Sequence, residues 1–267
     1  MFQTHTQPEY LTTDLFSGPV VHCFSTRRGG VSTGALASLN LGTHRGDDPA
    51  NVWENYRRLG AAVGFTPEQT VFTRQVHRDT VARVGQDNRG DGLLREVESE
   101  RDGILTNEPG VALVCFSADC TPVLLYDPVS RCIGAVHAGW RGTAAGIVSR
   151  AVEKMSAEFG ARPENIRAAI GPCIGDCCFE TDANVPQAME AALGRAASVA
   201  VRPVENGKYY VDLKLLNRIW LERAGLRHID VCRACTKCQP DRFWSHRITG
   251  NARGSLAAVI MLTEVEA

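Results

Sequence analysis

Two short stretches place a thiol and an imidazole on neighbouring apolar runs: Phe116-Ser117-Ala118-Asp119-Cys120-Thr121-Pro122 and Val136-His137-Ala138-Gly139-Trp140-Arg141-Gly142. A further imidazole, His77, stands upstream. Neutral imidazole nitrogen and thiolate sulfur are zinc ligands, and a catalytic zinc site takes three protein ligands while keeping one position open for water or substrate. Cys120, His137 and His77 would supply that trio. Their separations match no short zinc-finger pattern. Context speaks for them instead, since each ends or interrupts an apolar run beside Gly, Pro or Asp, where side chains are presented into clefts. The competing reading keeps Cys120 as a small buried hydrophobe and His137 as a hydrogen-bonded core histidine.

The elements that must position these residues are readable from pattern. Val20 to Phe24 reads as a strand, followed by a glycine loop, Arg27-Arg28-Gly29-Gly30-Val31-Ser32, where backbone can approach a ligand closely. Asp48-Pro49 is a cap-then-proline start for a helix that Val52, Tyr56, Leu59 and Val63 continue to about Gly64. Thr70 to Val84 suggests strands around His77. Ile104–Leu105, Val111–Phe116, Val123–Tyr126 and Cys132–Val136 are four short apolar runs separated by turn residues, the sheet-rich centre of the chain. A helix is expected over Gly142–Phe159, with Arg141 at its anion-favouring N-terminus and Gly160 as its stop. A strand over Ile166–Ile170, helices over Asp182–Leu193 and Asp212–Ala224, and a final strand over Ser255–Leu262 complete the pattern. Strands close enough for hairpins alternate irregularly with helices, so the expected fold is α/β, a mixed-sheet sandwich rather than a doubly wound parallel sheet. No GxGxxG or GxxxxGK[ST] phosphate loop occurs.

With 267 residues, 44% of them apolar, the chain can bury one large core or two small ones, and a single domain over residues 1–267 is expected. Basic and acidic residues balance at 29 against 30, a formal net charge of −1, which provides no general attraction to nucleic acid or an anionic membrane and leaves a small molecule as the expected partner. The longest apolar stretches fall short of the roughly 20 residues a membrane-spanning helix needs. The first residues lack the basic start and apolar core of a secretory signal, so a cytoplasmic location is the expectation. Ten cysteines then read as free thiols or metal ligands rather than a disulfide framework. Cys173, Cys177 and Cys178 form one cluster and Cys232, Cys235 and Cys238 another; the single CxxC of Cys235–Cys238 admits a structural metal, but free buried thiols are the favoured reading.

Several segments together carry a family resemblance: FSTRRGGVS (24–32), SLNLGTHRGDD (38–48), RQVHRD (74–79), SADCTPVLLYDP (117–128), VHAGWRGT (136–143), IGPCIG (170–175) and CTKCQPDRFWSHR (235–247). In this order they resemble the YfiH family of laccase-domain, multicopper-polyphenol-oxidase-like proteins. The resemblance implies a single α/β sandwich domain and a zinc site at His77, Cys120 and His137. It further implies a purine nucleoside phosphorylase that cleaves adenosine, inosine, guanosine or methylthioadenosine with phosphate, with adenosine deaminase activity beside it. Some bacterial members are linked instead to editing of peptidoglycan precursors, and older naming made the family copper oxidases. Where the family has Thr-Gly-Arg after the SHR segment, this chain reads Ile248-Thr249-Gly250-Asn251-Ala252-Arg253-Gly254, which leaves Arg253 to take the arginine's role.

Within that frame Arg27 and Arg141 suit phosphate, which a guanidinium grips with two hydrogen bonds, and their alternative is ion pairing at the surface. Asn40 binds a ribose or caps a turn. Asp119 orients a ligand imidazole, moves a proton, or satisfies backbone amides. His246 and Arg247 are pocket candidates. A second reading uses no metal, with Cys120 as nucleophile and His137 as its base in an amide hydrolase acting on peptidoglycan precursors. A copper oxidase of phenols is the third, disfavoured by the presence of only seven histidines and no HxH pair.

Overall fold

Period-two alternation of buried residues builds the molecule in layers. The computed structural model describes residues 1–264. One six-stranded sheet has the order β1 (Phe2–Thr6), β2 (Glu9–Thr13), β3 (Val20–Ser25), β15 (Leu256–Leu262), β7 (Ala112–Ser117) and β4 (Thr70–Phe72). The second has the order β14 (His228–Val231), β10 (Arg167–Ile170), β8 (Thr121–Asp127), β9 (Cys132–Ala138), β6 (Gly103–Thr106) and β5 (Val81–Arg83). Both are mixed: β4–β7, β10–β14 and β5–β6 are parallel pairs, and the other neighbours are antiparallel. Leu113 and Cys115 of β7, Leu124 and Tyr126 of β8, Ile133 and Ala135 of β9, and Ala258 and Ile260 of β15 meet between the sheets.

The intervening residues face outward onto helices. Ala112, Val114, Ala257 and Val259 pack on Val52, Tyr56 and Leu59 of α1 (Pro49–Val63). Val123, Leu125 and Val136 pack on Ile147, Val148, Ala151 and Met155 of α3 (Ile147–Phe159). The result is the expected mixed α/β sandwich, with helices outside two facing sheets. A smaller sheet of β11 (Glu180–Thr181), β13 (Tyr209–Val211) and β12 (Val201–Pro203) joins α4 (Asn184–Leu193) and α5 (Leu213–Arg223) around Phe179, Met189 and Leu216. No helix among the described residues is long and apolar enough to cross a membrane.

Helix α1 follows its sequence signals: the Asp48 carboxylate accepts from the Ala50 amide at 2.9 Å, and Gly64 closes the helix in the left-handed region at φ 105°. The helix expected over 142–159 is two helices. The short α2 (Trp140–Ala144) stops before Gly146, whose φ of 72° breaks the run, and α3 then begins. A Cβ at Gly146 would lie 3.3 Å from the Trp220 ring, so the break also lets α5 approach. The polar N-terminal stretch forms the β1–β2 hairpin, an edge whose outward residues are polar and so carry no apolar pattern.

Leu124 is fully buried between the sheets. Leu124→Ala should lower the unfolding free energy by about 2–5 kcal/mol in denaturant titration, through lost apolar burial and the cavity left behind.

Candidate active site and metal centre

The strand alternation that places Ile133 and Ala135 between the sheets places His137 on the same face, at the end of β9 where the intersheet core gives way to a cavity. Its neighbour across the ladder is Pro122, so the residue just ahead of β8, Cys120, arrives beside it. The turn that delivers Cys120 passes through Asp119 at φ 89°, a conformation that costs a non-glycine residue about 1–2 kcal/mol and needs compensation nearby. Ser117 Oγ donates to the Cys120 carbonyl at 2.5 Å. Asp119 accepts from Thr236 Oγ1 at 2.6 Å, Ser245 Oγ at 3.1 Å and the Arg247 amide at 2.6 Å.

His77 comes from the loop between β4 and β5, also in a left-handed conformation at φ 62°. Asp102, fully buried, organises it: its carboxylate accepts from the amides of Val76, His77 and Arg78 at 3.1, 3.0 and 3.1 Å. The same carboxylate accepts from His137 Nδ1 at 2.8 Å, which leaves Nε2 as the ligand nitrogen. Cys120 Sγ lies 3.8 Å from His77 Nε2, and ligand atoms of His77, Cys120 and His137 lie within 4.8 Å of one another. Donors around a four-coordinate zinc stand about 3.5 Å apart at ordinary bond lengths, so the trio fits a single ion with little adjustment. Gly139 leaves the room: a Cβ there would sit 2.9 Å from His77 Cδ2 and 3.3 Å from Cys120 Sγ.

Charge follows the geometry. Burial opposes a thiolate at Cys120, but the His137 and His77 imidazoles bring its pKa down to about 6. Burial likewise opposes a charged His137, which the Cys120 thiolate and Asp102 hold up to about 9. Both directions favour a thiolate at Cys120 beside a protonated His137.

The cavity above this trio has a volume of ≈ 390 Å³. Phe116, Trp140, Phe179, Ile174 and Leu213 give it apolar walls, and Arg45, Gln75, Asp119, His246, Arg247, Asn251 and Arg253 give it polar ones. A second cavity of ≈ 630 Å³ adjoins it, sharing Arg45, Gln75, His77, Phe116 and Ser255. Arg45 donates to Ser255 Oγ at 3.1 Å, and the largely buried Arg253 donates to the Gly254 carbonyl at 3.0 Å. Arg253 Nε has no partner among the described residues. Burial, then the charge of Arg45, lowers the Arg253 pKa to about 10. Two desolvated guanidiniums that repel each other across a cavity wall are suited to an anion between them.

The structure thus brings Cys120, His137, His77, Asp119, His246 and Arg247 to one cavity. It places Arg27, Asn40 and Arg141 elsewhere. Arg27 donates to the carbonyls of Ala37 and Pro240 and lies 3.7 Å over the Trp244 ring, tying two loops together. Asn40 is fully buried and spends its amide on Gly42, Asp47 and Ser255, so it shapes the segments that carry Arg45 and Arg253. Arg141 is exposed and stacks on Trp140, with only the latter reaching the cavity wall. Asp119 holds hydroxyls and an amide, while Asp102 orients the imidazole. Sequence reasoning missed Asp102 and Arg45. A lone Asp before a strand carries no signal, and Arg45 lay unremarked inside SLNLGTHRGDD.

Comparison with known proteins places this arrangement in context. A family model described as multi-copper polyphenol oxidoreductase laccase matches residues 21–263. A protein of Geobacillus stearothermophilus named purine nucleoside phosphorylase YlmD is 37% identical over 249 residues, 92% of this chain and 90% of that one. A purine nucleoside phosphorylase of Deinococcus radiodurans is 40% identical over 248 residues, covering 92% and 91%. The crystal structure of YlmD from Geobacillus stearothermophilus superimposes with a TM-score of 0.93 at 36% identity, over 98% of this chain and 99% of that one. The chain belongs to the laccase-domain family of YfiH- and YlmD-type proteins.

Proposed function

We propose that the chain is a zinc-dependent purine nucleoside phosphorylase acting on adenosine, inosine, guanosine or methylthioadenosine, with adenosine deaminase activity in the same cavity. The observation that carries this reading is the juxtaposition, in one cavity, of the His77–Cys120–His137 donor set with the Arg45–Arg253 pair. The names of the relatives support it. Two imidazoles and a thiolate would hold zinc, which when bound supplies Lewis acidity and an open coordination position.

The chain's own residues account for the rest. Arg45 and Arg253 grip the phosphate and present one of its oxygens to the ribose anomeric carbon. Phe116, Trp140 and Phe179 form the apolar faces that hold a purine ring. As the new carbon–oxygen bond forms, the glycosidic carbon–nitrogen bond breaks and its electron pair leaves with the purine. Arg247 and His246, at the rim, are placed to meet that negative charge with N–H donors. Deamination needs water in place of phosphate as nucleophile, directed at the amino-bearing ring carbon, whose bond to the exocyclic nitrogen breaks as ammonia leaves.

A second reading rests on a specific observation. Cys120, His137 and Asp102 form a chain of contacts in which a thiol meets an imidazole whose far nitrogen is held by a carboxylate, the arrangement of a cysteine hydrolase. It would act on amide bonds of peptidoglycan precursors without metal. Copper bound by the same trio would announce itself by the intense colour of copper(II)–thiolate, where zinc is colourless.

Incubation with adenosine, with and without phosphate, separates these accounts. The expected products are adenine and ribose 1-phosphate, formed only with phosphate, together with some inosine. Activity should fall at least about a hundredfold in Arg253→Met, as expected for loss of one preorganised charge contact, and vanish with the metal in Cys120→Ala. A metal-free protein that keeps full activity and is inactivated by alkylation of Cys120 would rule out the zinc-dependent reading.

Metal binding should also be proton-linked. Between pH 6 and 9 the thiol is already ionised and His137 still carries its proton, so each ion bound displaces one. Chelator competition should show affinity rising roughly tenfold per pH unit in that window, levelling above it and falling more steeply below it.

A further inference from the structure

Four cysteines outside the cavity converge from two loops. Cys177 and Cys178 lie between β10 and β11, Cys235 and Cys238 between β14 and the short helix α6 (His246–Thr249), and their sulfurs all lie within 4.8 Å of one another. Cys238 Sγ is 3.5 Å from Cys177 Sγ and 3.4 Å from Cys178 Sγ. Sulfurs around a tetrahedral zinc with bonds of about 2.3 Å stand about 3.8 Å apart, close to this spacing. An iron–sulfur cluster puts several irons and sulfides between its cysteines and would spread them farther. A disulfide would join one pair and strand two thiols, and Cys238 has two neighbours at nearly equal distance with nothing to choose between them.

Spacing and a backbone donor support the cluster. Cys235 and Cys238 have the CxxC spacing of a zinc knuckle, and the Gly175 amide donates to Cys235 Sγ at 3.2 Å. Gly175 makes the approach possible, since a Cβ there would stand 3.1 Å from Cys177 Sγ and 3.2 Å from Cys235 Cβ. A parallel bridge between Cys173 and Cys235 and the Thr236 amide on the Cys173 carbonyl hold the two loops in register. Of the thiols expected to be free and buried, Cys235 is buried, Cys178 is half-buried, and Cys177 and Cys238 are exposed, and the two cysteine clusters of the sequence meet. Cys173 and Cys232 do remain singly buried.

We propose that Cys177, Cys178, Cys235 and Cys238 form a second metal centre, a closed four-thiolate zinc site that is structural rather than catalytic. All four coordination positions come from protein, so no position is left for substrate. The ion clamps the loop carrying Ile174 and Phe179, two cavity-wall residues, to the loop carrying Thr236, whose hydroxyl holds Asp119. The site fixes one wall of the cavity from outside it.

Zinc analysis of the intact protein, purified under reducing conditions and dialysed against zinc-free buffer, tests this independently of any enzymatic activity. Two zinc ions per chain are expected, falling to one in Cys178→Ser/Cys238→Ser and also to one in His137→Ala. Cobalt loaded into His137→Ala should give the strong near-ultraviolet thiolate-to-cobalt bands of a four-sulfur tetrahedral site, a readout that stands even where the cysteine variant does not fold. A zinc-free His137→Ala protein overturns the proposal. So does recovery of Cys238 in a disulfide with Cys177 or Cys178 from protein handled without air.

Discussion

One buried carboxylate, that of Asp102, holds the site together. It is fully removed from water, where an isolated charge would cost several kcal/mol, and it survives because four N–H groups converge on it: the amides of Val76, His77 and Arg78 and the imidazole of His137. Burial pushes its pKa up, yet the His137 contact and these amides keep it below the ordinary value. The Asp102 carbonyl also accepts from the His137 amide at 2.7 Å. The three amide bonds are what make a left-handed turn at His77 affordable, and that turn aims its imidazole at Cys120 and His137.

The sandwich explains why residues so far apart in the chain can meet at this carboxylate. Asp102 immediately precedes β6, His137 is the last residue but one of β9 and Cys120 immediately precedes β8, and these three strands are consecutive neighbours in one sheet. The antiparallel ladder brings the starts of β8 and β6 and the end of β9 together, with the intersheet core behind them. The opposite sheet contributes Phe116, with Ser255 just ahead of β15, and the loop before α1 contributes Arg45, so the arginine side and the His–Cys–His side of the cavity come from different layers.

Much of this was legible in the sequence wherever one residue carries a local signal. Asp48-Pro49 and Gly64 bounded α1 because capping and left-handed closure depend on near neighbours. The runs that became β7, β8, β9 and β15 stood out because strands buried on both faces are almost wholly apolar. The thiol and imidazoles stood out by chemistry. What was not legible depends on partners distant in sequence. Asp102 is an ordinary acidic residue until three amides fold around it, and Arg27 looked like a phosphate ligand until Pro240 and Trp244 arrived to occupy it. The convergence of Cys177 and Cys178 on Cys235 and Cys238 rests on the pairing of β10 with β14, which no spacing rule reports.

If His77, Cys120 and His137 hold zinc as proposed, the Asp102 carboxylate preorganises them for it. Zinc affinity of Asp102→Asn, measured by chelator competition beside the unaltered protein and with folding verified by circular dichroism, tests it directly. The amide keeps the size and one acceptor oxygen while losing the charge, and affinity at the His77–Cys120–His137 site should fall about 10- to 100-fold. An unchanged affinity in a folded Asp102→Asn protein would contradict the account.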